Sequence, residues 1–160
     1  HNTDFGNLSY GFVKDFCKEH SLQFIGSSIS EEVPVGESKE AFWRRHRYSF
    51  FNKHSDGERV ITCHHLDDVL ETWIFTSANG NPEIIPPTNG KFIRPFLFCK
   101  KNVIAEWSKA NRVPFVNDPS NLDLSFKRNY IRHEVVPVYK KINPGIYKVL
   151  YKKIKKYKEV

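Results

Sequence analysis

The sequence predicts an α/β fold, a parallel sheet with flanking helices. Two observations carry that expectation. Segments of helical and of strand-like patterning alternate along the first half of the chain, the order that yields a sheet covered by helices. Hydrophobic residues at 39% and aromatics at 14% suffice to bury a core. The length of 160 residues leaves room for one domain, or one and a half.

The elements follow in order. Leu8, Phe12, Val13 and Phe16 make a helical stripe, so a helix is expected over 8–20. SLQFIGSSI then predicts a strand over 23–29. Pro34 and Gly36 break regularity before SKEAFWRRHRYSFFNKH, a second helix with Ser38 at or near its N-cap. HSDGE reads as a turn. RVITCH, with Val60, Ile61 and Thr62, is a short strand, and LDDVLETWIFTSAN is a helix that opens just after His64 and His65. A loop with Gly80, Pro82, Pro86, Pro87 and Gly90 leads to KFIRPFLF, followed by a helix over 100–111, the extended stretch VPFV and the polar turn NDPSN. Two further helices are expected over 125–136 and 144–158, with Pro144 tolerated in a first turn.

Composition narrows the classes. Charged residues at 27% and a mean hydropathy of −0.54 keep the surface wet, and no apolar run is long enough to span a bilayer. HNTDFGNLSY lacks the pattern of a secretory signal. These features point to a soluble, cytoplasmic protein without a membrane partner. Cys17, Cys63 and Cys99 form no CxxC, so reduced thiols are expected rather than a disulfide framework or zinc knuckle. Methionine is absent and position 1 is His, which places the translational start outside this chain.

The net charge of +7 is unevenly spread. Residues 127–160 carry eleven Lys or Arg against Glu134 and Glu159, a balance of +9, whereas the rest of the chain sums to −2. YKVLYKKIKKYKEV mixes tyrosines with Lys152, Lys153, Lys155 and Lys156. A basic face with interleaved aromatics suits phosphate contact and base stacking. Val149, Leu150 and Ile154 also repeat at helical spacing, so an ordinary amphipathic helix with solvated lysines stands beside the RNA reading.

The run CHHLDD leaves a predicted strand end and enters a helix, where open α/β sheets hold their ligands. His64 and Asp68 are four residues apart and able to share one side of the first turn. Such a pair can hold Mg²⁺ through a carboxylate and orient or protonate a phosphate or leaving group through an imidazole. The bland alternative makes Asp67 and Asp68 ordinary N-terminal helix acids. No HExxH spacing supports zinc.

Five blocks, EAFWRRHRY, TCHHLDDVLET, FIRPFL, VPFVNDPSN and SFKRNYIRHEVVP, stand in an order that resembles the catalytic domain of the tRNA(Ile)-lysidine synthetases. These form a branch of the N-type ATP pyrophosphatases in the PP-loop superfamily. The resemblance spans about residues 1 to 145, and the pair HHLDDxxET and RNxIRxxxxP carries its specificity. It implies a Rossmann-like, adenine nucleotide alpha hydrolase-like fold, with residues 1–98 a partial α/β domain and 99–160 a mostly helical extension with a basic tail. It also implies a reaction. ATP adenylates the C2 oxygen of the wobble cytidine of tRNA(Ile), and lysine displaces AMP to leave lysidine. ATP, Mg²⁺, lysine and tRNA are the implied cofactors and partners.

The resemblance further implies roles for His64, Asp68, Arg44 and Arg128 in catalysis, with Asp68 a ligand of the metal or of the lysine ammonium. Arg47, Asn129 and Arg132 join the four tail lysines in binding substrate or RNA. Taken alone, Arg44, Arg45 and Arg47 make a solvated basic face, and Arg128, Asn129 and Arg132 serve helix packing and capping. NDPSN is an Asp-Pro turn.

One family block has no counterpart. The SGGxDS loop that holds ATP phosphates at a helix N-terminus is not in this sequence; Gly6 and Gly26 do not build it. By that placement roughly 40 residues precede residue 1, about a strand, loop, helix and strand at ordinary lengths. The missing piece would lie in cis or on a second chain. A noncatalytic RNA-binding module and another PP-loop tRNA modifier stay open as alternatives, the lack of any CxxC speaking against a thiolase.

Overall fold

The computed structural model describes residues 3–157. The backbone gathers into two units, His1–Glu58 and Arg59–Val160, each with its own contacts.

In the first unit, α1 (Asp4–Glu19) starts earlier than its apolar stripe suggests, because Thr3 caps it: the Gly6 N–H donates to Thr3 Oγ1 at 3.0 Å. The helix ends where Ser21 takes φ +54° and the Leu22 N–H reaches back to the Cys17 carbonyl. The strand expected over 23–29 does not form. That stretch takes no regular structure and joins no sheet among the described residues, and a β-like sequence becomes a strand only by pairing. Its Gly26 has a packing role instead. A Cβ there would lie 2.5 Å from Tyr10 Cε2, beneath the edge-on Tyr10–Phe24 pair whose centroids are 5.1 Å apart. Helix α2 (Lys39–His54) opens as expected on Ser38, whose Oγ accepts the Ala41 N–H at 3.2 Å. Asp56 and Gly57, both at positive φ, make the HSDGE turn.

The second unit holds the sheet, which is smaller than expected and mixed rather than parallel. β1 (Val60–Ile61) runs parallel to β3 (Phe92–Ile93), with Val60 opposite Phe92, and β2 (Thr88–Asn89) pairs with β3 antiparallel in a tight hairpin. The proline-rich loop before β2 leaves these strands two residues each. Arg94, buried at 5% exposure, ties that loop down by donating from Nη1 to the Pro86 carbonyl at 2.8 Å.

Helix α3 (Leu66–Ala78) is the spine of this unit. Leu66, Val69, Leu70 and Ile74 fall on one face and are buried against Leu97 and against Ile146, Leu150 and Ile154 of α7 (Ile146–Lys156). The tail helix therefore helps build the core as well as presenting lysines. Its expected end at Lys158 lies outside the described residues. α4 (Lys101–Ala110) matches its expected span, and NDPSN leads into a 3₁₀ turn, Pro119–Leu122. The three cysteines are free thiols.

The helix expected over 125–136 runs on to 142. It consists of α5 (Lys127–Tyr130), a π-helical turn Ile131–Val135 and α6 (Val136–Ile142). Pro137 explains the wide turn. It has no N–H to give, and its ring would strike the carbonyl four residues back in a regular helix. The turn opens instead, and the Val136 N–H reaches five residues back to the Ile131 carbonyl.

Candidate functional site

The HHLDD run sits where β1 gives way to α3. Thr62, at 9% exposure, closes the strand end, and its Oγ1 lies 3.0 Å from His64 Nδ1, fixing that imidazole. His65 is the N-cap of α3 and forms a reciprocal capping box with Asp68. The His65 N–H donates to Asp68 Oδ2 at 2.8 Å, while the Asp68 N–H lies 3.4 Å from His65 Nδ1. The side-chain partner of Asp68 is thus the second histidine, with His65 Nδ1 and Asp68 Oδ2 3.3 Å apart. The spacing of four that singled out His64 and Asp68 places both at the helix entrance, and the hydrogen bonds divide them between Thr62 and His65.

Asp67, which the sequence presented as a routine helix acid, connects four helices. Its Oδ2 accepts the Lys101 N–H at 2.8 Å, capping α4 from 34 residues away. The α4 N-cap position is Lys100, which supplies no side-chain acceptor of its own. Asp67 Oδ1 accepts the Tyr147 hydroxyl from α7 and lies 3.9 Å from Lys140 Nζ on α6. Burial pushes the Asp67 carboxyl up, but the Lys101 N–H, the Tyr147 hydroxyl and the His65 and Lys140 charges together hold it below the ordinary value. Burial and the Asp67 carboxylate push the Tyr147 phenol well up. The Tyr147 ring also lies within cation–π reach of two ammonium groups, Lys100 at 4.8 Å and Lys140 at 5.0 Å.

One turn further along α3, Glu71 is buried at 3% exposure and grips Arg132 in a two-pronged ion pair, 2.7 Å at Nε and 2.9 Å at Nη2. The bond to Glu71 raises the Arg132 guanidinium against the opposing effect of burial. Asn129, also buried, donates to the Ser120 and Asp123 carbonyls at 2.8 and 2.9 Å. His133 Nε2 lies 2.9 Å from the Asn121 carbonyl. Asn129 and His133 therefore anchor the NDPSN turn to the α5–π helix, while Arg132 locks that helix to α3. Arg128 donates to Thr72 Oγ1 at 3.2 Å and stacks over Phe75 at 5.5 Å.

A profile described as a PP-loop domain matches residues 6–139. This chain belongs to the PP-loop family. It is 39% identical over 145 residues to a protein of Thermosipho africanus named tRNA(Ile)-lysidine synthase, which takes in 83% of this chain and 30% of that relative. Proteins of the same name from Thermotoga maritima and Francisella tularensis subsp. novicida are 31% and 33% identical, over 88% and 81% of this chain and 36% and 35% of their own length. The PP-loop chain thus spans about a third of the length of the curated relatives it matches. Family membership implies the adenine nucleotide alpha hydrolase-like α/β fold, of which this chain shows the helices and a small mixed sheet.

The remaining expected site residues lie elsewhere in the PP-loop chain. Arg44 and Arg47 are exposed on α2, and Arg44 covers the Tyr48 ring at 4.7 Å. Lys152, Lys153, Lys155 and Lys156 are exposed on α7, whose Leu150 and Ile154 are buried. Among the described residues no group of three His, Cys, Asp or Glu side chains is placed to hold a metal ion, and the Asp67 and Asp68 carboxylates already accept protein hydrogen bonds. These side chains do not form a metal site by themselves. Among the described residues no helix is long and apolar enough to cross a membrane.

Sequence reasoning missed Asp67, Glu71 and Tyr147 as organisers. Glu71 carried a signal, because it is an acid flanking the apolar stripe of Leu66, Val69, Leu70 and Ile74. Asp67 and Tyr147 are 80 residues apart, and nothing local announces their bond.

Proposed function

We propose that this chain is the larger part of the catalytic region of an ATP-dependent tRNA-modifying ligase that converts the wobble cytidine of tRNA(Ile) to lysidine. The observation that carries the proposal is the PP-loop match combined with the HHLDD run at the β1–α3 junction, where His64 and the His65–Asp68 box open the helix. In the reaction the cytidine C2 oxygen attacks the α-phosphorus of ATP and pyrophosphate leaves. The lysine amine then adds to C2, AMP departs with the oxygen, and the amine gives up a proton. That proton passes to water, and His64, held by Thr62, is assigned to orient or protonate the phosphate or leaving group. Asp68 is the assigned partner of the lysine ammonium. Arg44 and Arg128 would meet the phosphate charge that develops as pyrophosphate separates.

Asp68 is the side chain that would hold Mg²⁺ alongside the nucleotide phosphates, where the ion would supply positive charge to the separating pyrophosphate. Residues 1–98 are assigned to a partial PP-loop α/β domain and 99–160 to the mostly helical remainder of the catalytic region with its basic tail, while Arg47, Asn129, Arg132 and the four α7 lysines are assigned to binding substrate or RNA. The phosphate-holding SGGxDS segment is assigned to a stretch in cis or to a second chain.

The test is tRNA-dependent exchange of pyrophosphate into ATP, together with the mass of the modified cytidine. The chain alone is expected to be silent, and addition of an SGGxDS-bearing segment is expected to restore exchange. Exchange by the chain alone would refute the split-site part of the proposal. In the complemented system the His64→Ala, Asp68→Ala double variant should abolish exchange while leaving RNA binding intact. If that variant behaves as wild type and only neutralised α7 lysines abolish function, the chain is a noncatalytic RNA-binding module.

A further inference from the structure

A groove of about 750 Å³ opens between the C-terminal half of α3 and the α5–α6 helix, within the range that takes small organic ligands. It lies toward the end of α3 away from the HHLDD run: Asp68 and Ala78 are ten residues apart, roughly 15 Å along the helix. Phe75, Ile131, Tyr130 and Tyr139 line it, and Lys127 stands among them. Tyr130 is 52% exposed although its ring is large and apolar. Arg128 adds a second cation beside the groove through its place over Phe75. None of the lining residues is acidic.

Aromatic rings next to cations, with no acidic side chain in the lining and the nearby Asp123 carboxylate engaged by the Ser125 N–H at 2.9 Å, match the chemistry of an unstacked base on its sugar-phosphate backbone. An apolar protein segment would use the aliphatic lining but offers nothing to Lys127 and Arg128. We propose that this groove receives one unstacked nucleobase of an RNA, with Tyr130 stacking on the base and Lys127 meeting its phosphate. The inference rests on the RNA reading above and adds to it a base-holding site separate from the lysine face of α7.

The experiment is fluorescence anisotropy of the full chain with a short single-stranded oligocytidylate and the same oligomer carrying abasic positions. Wild type should prefer the intact oligomer. Tyr130→Ala and Ala78→Leu, both at exposed positions, should weaken it by about 5- to 150-fold, the span expected for one stacked base. They should erase the preference, whereas Tyr130→Phe keeps it. Replacing Lys152, Lys153, Lys155 and Lys156 with Gln should weaken both oligomers alike and reduce the salt dependence while preserving their ratio.

An unchanged preference in both groove variants overturns the groove assignment and leaves the RNA reading standing. Absence of binding to either oligomer at low salt overturns both. Sedimentation showing Tyr130-dependent self-association, with the preference unchanged, overturns the proposal in favour of a second copy of the chain.

Discussion

Arg132→Met tests the load carried by the Glu71–Arg132 pair. The substitution leaves a carboxylate whose side chain is 4% exposed without the two N–H donors that now satisfy it at 2.7 and 2.9 Å. Breaking a buried pair in this way costs about 3–5 kcal/mol, against a small or favourable change when both partners become apolar. Arg132 itself is 28% exposed, so water can enter the space it vacates and the lower end, about 3 kcal/mol, is expected. For a unit of roughly 100 residues that lowers Tm by about 12–24 °C. Urea unfolding followed by the fluorescence of Trp73, two residues from Glu71, in a Trp43→Phe, Trp107→Phe background reads the loss at its source. Arg132→Lys keeps the charge but not the fork and should lose about half as much. The Glu71→Leu, Arg132→Met double variant should return to within about 2 kcal/mol of wild type. A cycle whose single and double losses add within about 0.5 kcal/mol would show that the two residues do not act as a pair and would refute the reasoning.

Three further outcomes are expected. Asp67 titrates below its ordinary value in the folded chain, so the stability it contributes is complete above about pH 4 and is lost as pH falls through the folded value; Asp67→Asn should flatten that acid limb in urea titrations across pH 2 to 6, and an unchanged limb would assign it to other groups. Tyr147 is shifted the other way, so its contribution holds below about pH 10 and fades at higher pH; Tyr147→Phe should remove that alkaline loss, read in a separate series of urea titrations from about pH 8 to 12, and an unchanged alkaline limb would assign it to other groups. Asn129→Ala removes two hydrogen bonds to the Ser120 and Asp123 carbonyls, which keep the Asp123 and Phe126 N–H donors, and should cost about 1–3 kcal/mol at roughly 0.5–1.5 per bond, with hydrogen exchange speeding first at 118–125; uniform exchange would mean that the turn does not depend on this amide.

Local chemistry made much of the fold legible. Ser38 announced α2, the acids after His65 announced α3, and the helical spacing of Leu150 and Ile154 announced part of the buried face of α7, although Val149, read in the same stripe, is exposed and Ile146 takes its place. The strand over 23–29 was misread because its β-like composition says nothing about whether a neighbour exists to pair with it. The parallel sheet was misread for a related reason: alternation gives element order, whereas the direction of β2 was set by a two-residue hairpin turn, Gly90 and Lys91. At the candidate site, residue types and their place at a strand end were readable. Partner choice was not. Four-residue spacing suits His64 and Asp68 within a regular helix, but His64 precedes the first helical turn, and its neighbour His65 occupies the cap that Asp68 answers.

The opened turn at Ile131–Val135 sets an angular phase. Each residue advances an α-helix by about 100°, so a turn that spends one extra residue rotates everything before it relative to everything after. Upstream, Asn129 points its amide at the 118–123 loop; downstream, Val136 points into the core. A uniform helix of the same composition would satisfy one half and misdirect the other. Proline at 137 thus acts as a mechanical index mark, keeping loop placement and core packing in step along one continuous rod.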